Sequence, residues 1–257
     1  MGHVVITGAS SGLGEYLAIE LGRRGYSLGL IARRKEQLEQ VAEKVRATGA
    51  KAAVAAADVT DREAVHAAIR GLEAEFGPTG IVIANAGTGI VTSGARFNAQ
   101  KIGDLMRLNF DGVMYAFEAV LPAMMERKSG QIVAVSSLAG YRGLPGNGAY
   151  GASKAAVTTM MQALSTELRP QGIIVTTIHP GFVRTPLTDK NRFKMPFLME
   201  PERAAQIMAD GIEGKRRTIN FPWQMGILMR ALQAVPAPIF EALAGKVAPP
   251  PDKIKGP

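Results

Sequence analysis

The stretch Val4-Val5-Ile6-Thr7-Gly8-Ala9-Ser10-Ser11-Gly12-Leu13-Gly14 decides how the rest of the chain is read. Three β-branched apolar residues read as a buried strand, and a glycine-rich turn then opens a helical pattern. Glycine lets the main chain approach a pyrophosphate without a Cβ in the way. The free N–H groups and the positive dipole end of the following helix favour that anion. The spacing Gly8-x-x-x-Gly12-x-Gly14 departs from the usual Gly-x-Gly-x-x-Gly dinucleotide fingerprint, and a tight strand–helix turn without a ligand would use the same residues.

Outward from this turn, apolar runs alternate with helical patterns. Strands are predicted at residues 3–7, 27–32, 52–57, 81–85, 131–136 and 173–178, with a seventh at 218–221. Several are nearly continuous in apolar character, as a parallel sheet covered on both faces requires. Helices are predicted at 13–24 with Gly25 as its stop, at 36–48 before Gly49, and from the N-cap Asp61 to Phe76. A long helix over 99–127, bent near Pro122, follows. This alternation predicts one α/β domain over 1–257, a doubly wound Rossmann-type parallel sheet of about seven strands with helices on both faces.

Composition agrees with a globular fold. Of the 257 residues 47% are hydrophobic and 20% charged, enough to build a sizeable core. The absence of cysteine excludes disulfides, thiolate zinc sites and cysteine nucleophiles, and suits a reducing cytoplasm. His3, His66 and His179 show no ligand spacing, so no metal site is expected. A signal segment is not expected before the first strand, and no uninterrupted apolar run reaches the roughly 18 residues of a spanning helix. The net charge of +8 comes from scattered basic residues rather than a nucleic-acid motif. A nucleotide phosphate is the simpler acidic partner.

The end of the second predicted strand discriminates between cofactors. An acid there would hold a ribose 2′-hydroxyl, but this chain has Arg33 and Arg34, which can grip a 2′-phosphate. Their place at a helix start is unfavourable to the dipole unless an anion is bound. NADP(H) is therefore expected over NAD(H). Asp58-Val59 closes the third strand at the same sheet edge; Asp58 can accept from an adenine amino group or cap its own loop.

Tyr150 and Lys154 are four residues apart, so on a helix they share a face, and Ser137 lies 13 positions before the tyrosine. A nearby ammonium is expected to lower the phenol pKa from its ordinary value near 10, and Ser137 can hydrogen-bond a carbonyl oxygen as it gains charge. A surface tyrosine lying along a lysine stem would give the same spacing, so the reading rests on the ordered set. Hydride transfer between a nicotinamide and a carbonyl or alcohol is the chemistry these groups suit.

From about His3 to Thr185 the chain closely resembles the short-chain dehydrogenase/reductase family. The segment from Thr7 to Gly14, with Gly8, Ser10, Ser11, Gly12 and Leu13, looks like its cofactor turn. Asn85-Ala86-Gly87 looks like the motif that steadies the central sheet. Asn109, Ser137, Tyr150 and Lys154 match the family's catalytic set, and Pro180-Gly181-Phe182-Val183-Arg184-Thr185 the segment that orients the nicotinamide carboxamide. The resemblance implies that Tyr150 protonates the carbonyl oxygen, Ser137 stabilises it, Lys154 binds the ribose and lowers the tyrosine pKa, and Asn109 holds a relay water. It also implies a homodimer or homotetramer through the helices around 99–127 and 150–169.

After Thr185 the resemblance weakens. Residues 186–215 are expected to form a substrate lid, where Met195, Phe197, Leu198 and Met199 suggest a hydrophobic carbonyl compound or simply a packed helix. Residues 222–257 form an amphipathic extension with Met225, Leu228, Met229 and Leu232 on one stripe and Ile239, Phe240, Leu243 and Val247 on another. Core or subunit packing is one reading. Peripheral membrane contact is the other, with Trp223 and Lys215, Arg216 and Arg217 flanking the stripe. The tail Pro249-Pro250-Pro251 is expected to be loose. Two rival functions are a non-catalytic NADP-binding sensor or scaffold, which has no use for all four catalytic residues, and a sugar-nucleotide epimerase. For the latter the roughly 70 residues after Thr185 are short.

Overall fold

Val4 and Ile6 turn to one face of the first strand and Val5 to the other, and all three are fully buried. That double burial sets the architecture. The computed structural model describes residues 2–189 and 195–247. Strands β1 (His3–Thr7), β2 (Ser27–Ala32), β3 (Ala52–Ala56), β4 (Thr79–Ala84), β5 (Gly130–Val135), β6 (Ile173–Pro180) and β7 (Thr218–Phe221) form one sheet in the order β3-β2-β1-β4-β5-β6-β7. Every neighbouring pair is parallel. The helices are α1 (Gly12–Arg23), α2 (Lys35–Arg46), α3 (Arg62–Phe76), α4 (Ala99–Met106), α5 (Gly112–Glu126), α6 (Gly148–Leu168), α7 (Pro201–Glu213), α8 (Trp223–Ala234) and α9 (Ala237–Val247).

One core layer joins Val4 and Ile6 to Leu17 and Leu21 of α1, Leu38 of α2, and Met208 and Ile212 of α7. The other joins Val5 to Ile69 of α3, Phe117 and Val120 of α5, and Val157 and Met161 of α6. The helix stops follow the predicted glycines: Gly25 and Gly49 have φ of 84° and 90°, which a side chain would strain. Asp61 caps α3 by accepting from the Ala64 N–H at 3.0 Å. Winding reverses between β1 and β4, so the carboxyl ends of these two strands border the crevice where ligands of open α/β sheets bind.

Three expectations change. The long helix over 99–127 is interrupted by a π turn at Arg107–Asp111, while α5 runs through Pro122. The wider turn accommodates buried Asn109, whose bonds are described below. Residues 201–213 are no lid: α7 buries Ala204, Met208 and Ile212 in the core. Arg24 of α1 fastens it further through Asp210 at 2.8 Å and Glu213 at 2.6 Å. Lys215, Arg216 and Arg217 precede β7 and Trp223 follows it, so the strand's length separates the basic trio from the stripe it was expected to flank. Of the expected lid, Pro186, Leu187 and Thr188 line the crevice, and residues 190–194 lie outside the described residues. Met199 packs on the core, and Phe197 is half exposed. The Pro249–Pro251 tail lies outside the described residues. Among the described residues no helix is long and apolar enough to cross a membrane.

Candidate active site

Gly8 and Gly12 adopt φ of 66° and 61°, the left-handed region that the turn requires. A Cβ at Gly8 would stand 2.6 Å from the Ala86 Cα, and one at Gly14 would collide with the Gly8 carbonyl and the Asn85 amide. The second strand end holds the turn in place: Asn85 Nδ2 donates to the Thr7 and Gly8 carbonyls at 3.0 and 3.2 Å. Thr7 Oγ1 in turn accepts from the Asn85 and Ala86 N–H groups. Ser11 sits at the N-cap of α1 in extended conformation without a side-chain cap bond, so neither its hydroxyl nor the first-turn N–H groups are taken up by the helix itself. A phosphate fits this cradle for the reasons that anions collect at helix N-termini.

Arg34 reaches back over the turn, its Nη2 lying 3.3 Å from Ser10 Oγ and 3.2 Å from Ser11 Oγ. Arg33 points instead to Asp58, 3.5 Å away. Asp58 also accepts from the Thr60 N–H and hydroxyl at 3.0 and 2.9 Å, so it caps its own loop. Burial works against ionising Asp58, but the Thr60 bonds and Arg33 outweigh it and hold the carboxyl below its ordinary value. The two arginines are therefore not equivalent.

At the far end of the same cleft, of about 330 Å³, stand Ser137, Tyr150 and Lys154. Ser137 follows β5 and its Oγ accepts from the Ala139 N–H at 3.1 Å while facing the Pro180 carbonyl at 3.4 Å. Tyr150 and Lys154 come from the first two turns of α6. Lys154 Nζ donates to the Val135 carbonyl at 2.8 Å and lies 5.9 Å from the centre of the Tyr150 ring. Burial pushes the lysine down to about 8. Burial also raises the Tyr150 phenol, with the Ser137 hydrogen bond opposing it. The shift of the phenol is thus upward, with burial as its main cause, while the Lys154 ammonium is turned to a main-chain carbonyl.

Asn109 stands behind the cleft rather than in its wall. Its Oδ1 accepts from the Thr88 N–H at 2.9 Å, and its Nδ2 donates to the Thr88 carbonyl at 2.9 Å and Ser153 Oγ at 3.0 Å. The side chain ties the loop after β4 to α6, beside Gly87, where a Cβ would come within 3.2 Å of Lys154 Nζ. Pro180, Gly181, Val183 and Thr185 line the cleft, and a Cβ added at Gly12 would lie 3.6 Å from the Thr185 side chain. Val59 lies on the Asp58 side.

Sequence reading missed Thr88, Leu108, Leu187 and Thr188 in the wall. Thr88 follows directly on Asn85-Ala86-Gly87, the one signal that was available. It also missed a polar chain behind Ser137 and Lys154. Ser136 Oγ and Thr158 Oγ1 are 2.8 Å apart and both meet the Lys154 carbonyl, and Thr158 Oγ1 is 3.1 Å from His179 Nε2. Among the described residues no three His, Cys, Asp or Glu side chains come together as a metal site would need.

The arrangement unites a glycine-rich turn at a helix N-terminus, a basic end, a buried serine and lysine and a half-buried tyrosine in one cleft. Comparison with known proteins agrees with the fold. A Myxococcus xanthus protein described as an uncharacterized oxidoreductase is 42% identical over 243 residues, 95% of this chain and 96% of that protein. The solved short-chain dehydrogenase from Sphingobium yanoikuyae in complex with NADPH is 30% identical, with TM-score 0.79 over 96% of this chain and 94% of that one. A Burkholderia phymatum short chain dehydrogenase/reductase in complex with NAD, 24% identical, shares the fold with TM-score 0.82 over 89% and 92% of the two chains. The short chain dehydrogenase family matches residues 2–195, and the chain is an oxidoreductase belonging to that family.

Proposed function

We propose that the protein transfers hydride between NADP(H), preferred over NAD(H), and the carbonyl or alcohol group of a small apolar molecule. The observation that carries this reading is the single cleft joining Arg34, Ser10 and Ser11 at one end to Ser137, Tyr150 and Lys154 at the other. Arg34 and the two hydroxyls suit a 2′-phosphate through charge-assisted bonds. The nicotinamide nucleotide supplies the hydride when bound.

In this reading Ser137 Oγ and Tyr150 Oη receive the carbonyl oxygen between them. Tyr150 gives its hydroxyl proton to that oxygen as the carbonyl carbon is reduced. A phenol held protonated by burial suits the start of reduction. Lys154 faces the resulting phenolate, and its ammonium also holds ribose hydroxyls. Asn109 keeps the loop at Thr88 and the α6 turn at Ser153 in register, and holds the relay water. The apolar side chains Leu108 and Leu187 in the cleft wall support a hydrophobic substrate. Half-exposed Met125 on α5 and Met160 on α6 support a homodimer or homotetramer through these helices, and a cysteine-free chain suits the cytoplasm.

The reading is tested by following NADPH and NADH consumption with a panel of apolar ketones and aldehydes, with Tyr150→Phe alongside. Turnover that favours NADPH and collapses in the variant supports it. Tight NADPH binding with no turnover of any compound would favour the sensor or scaffold reading instead.

A further inference from the structure

Helix α8 is apolar on both sides. Its inner side sets Met225 and Met229, each 7% exposed, against Leu138, Tyr141, Leu144 and Phe182. Its outer side carries Trp223 and Ile227, one helical turn apart and 66% and 61% exposed, with Leu228 half exposed at the border. On α9 the pattern repeats: Phe240 lies under the Arg142 guanidinium at 4.3 Å, while Ile239 and Leu243 are each 55% exposed. Five of the eleven large apolar side chains exposed among the described residues fall between positions 223 and 243. Single exposed apolar residues need no explanation, but such a concentration marks a contact surface.

We infer that this outer face of α8 and α9 rests on an anionic lipid surface. Charge favours that occupant. The chain carries +8 overall, and from residue 222 onward the basic residues Arg230, Lys246, Lys253 and Lys255 outnumber the acids Glu241 and Asp252. Pairing with a second copy would bring together two chains of the same net charge, whereas an anionic bilayer attracts a basic chain. A tryptophan at the start of an exposed apolar helix face suits the headgroup boundary. The inner side of α8 packs on the Leu138–Leu144 wall that follows Ser137, so docking sets the catalytic end of the cleft next to the lipid. Delivery of an apolar substrate from the bilayer rests on the proposed function; lipid binding itself does not, and it is measured without turnover.

Trp223 is the only tryptophan in the chain, so its emission reports on this face directly. The full-length protein is titrated with vesicles of equal parts phosphatidylglycerol and phosphatidylcholine, and with phosphatidylcholine alone. The expected result is a blue shift and co-sedimentation with the anionic vesicles, both weakened by salt. Ile227→Asp and, separately, Leu243→Asp should each lower the bound fraction about tenfold while circular dichroism and NADPH binding stay unchanged. Unshifted emission with all protein left in the supernatant overturns the proposal. So does a blue shift that grows with protein concentration in lipid-free buffer together with a dimer that Ile227→Asp dissociates, since that assigns the face to a second copy.

Discussion

His179 Nε2 lies 3.1 Å from Thr158 Oγ1, one helical turn beyond Lys154, while its ring stacks on Tyr141 with centres 5.1 Å apart. The residue directly precedes Pro180, whose carbonyl faces Ser137. One buried imidazole therefore links the segment around Pro180, the turn after Ser137 and the helix of Lys154.

This linkage makes His179 a positioning residue. His179→Phe keeps the ring and its stacking but loses the bond to Thr158, and turnover should fall about tenfold with the KM for the nucleotide little changed. His179→Gln can restore the bond and should recover most of the loss. Equal losses in both variants would reduce the residue to a packing role. Burial, helped by Arg230 and Lys154 and opposed by Asn220, pushes its pKa from 6.5 down to about 4. The unfolded chain then binds more protons than the folded one between these values. Stability is thus full above about pH 6.5 and is lost as pH falls toward 4, by up to about 3 kcal/mol from this group. His3, lowered mainly by burial, adds loss in the same direction. Urea unfolding of wild type and His179→Phe across pH 4 to 7 checks the slope, which should be shallower in the variant.

Lys154 sets activity against stability. Burial lowers its pKa from 10.5 to about 8, so holding the ammonium in place destabilises the folded chain at neutral pH. Between about 8 and 10.5 the unfolded lysine is the more protonated, and the lysine's contribution to stability rises with pH there. Lys154→Met should raise Tm by a few degrees at pH 7 and abolish turnover. A lower Tm would mean that the bond to the Val135 carbonyl outweighs the cost of burying the charge.

Arg34 and Arg33 should separate cleanly in cofactor binding. Loss of charge-assisted bonds in Arg34→Ala should raise the KM for NADPH by about 10- to 100-fold and leave that for NADH nearly unchanged. Arg33, already paired with Asp58, should show a smaller change when replaced by Ala. Equal effects on both nucleotides would remove the 2′-phosphate role.

Two glycines should respond in opposite ways to the same methyl group. Gly8→Ala meets the Ala86 Cα at 2.6 Å from a left-handed backbone and should cost several kcal/mol, about 3 or more, together with nucleotide binding. Gly71 lies on the exposed side of α3 with nothing within 4 Å of a new Cβ. Gly71→Ala should therefore stabilise by about 0.5–1 kcal/mol. Chemical denaturation of both variants settles the pair.

The order of elements, the parallel sheet and most cleft residues were legible in the chain itself, because they rest on short-range signals. Apolar runs bounded by Gly25, Gly49 and Gly77 mark strands and helix ends locally, and the spacing of Tyr150 and Lys154 is a property of one helix. Other features depend on groups distant in sequence. The break of the long helix falls at Asn109 because that side chain bonds Thr88 and Ser153, 21 and 44 residues away. Helix α7 joins the core because Arg24 and the apolar face of α1 await it. The environment of Tyr150 and Lys154 likewise depends on tertiary burial: spacing brings a phenol and an ammonium together, but only the packed sheet around them decides how far each is removed from water.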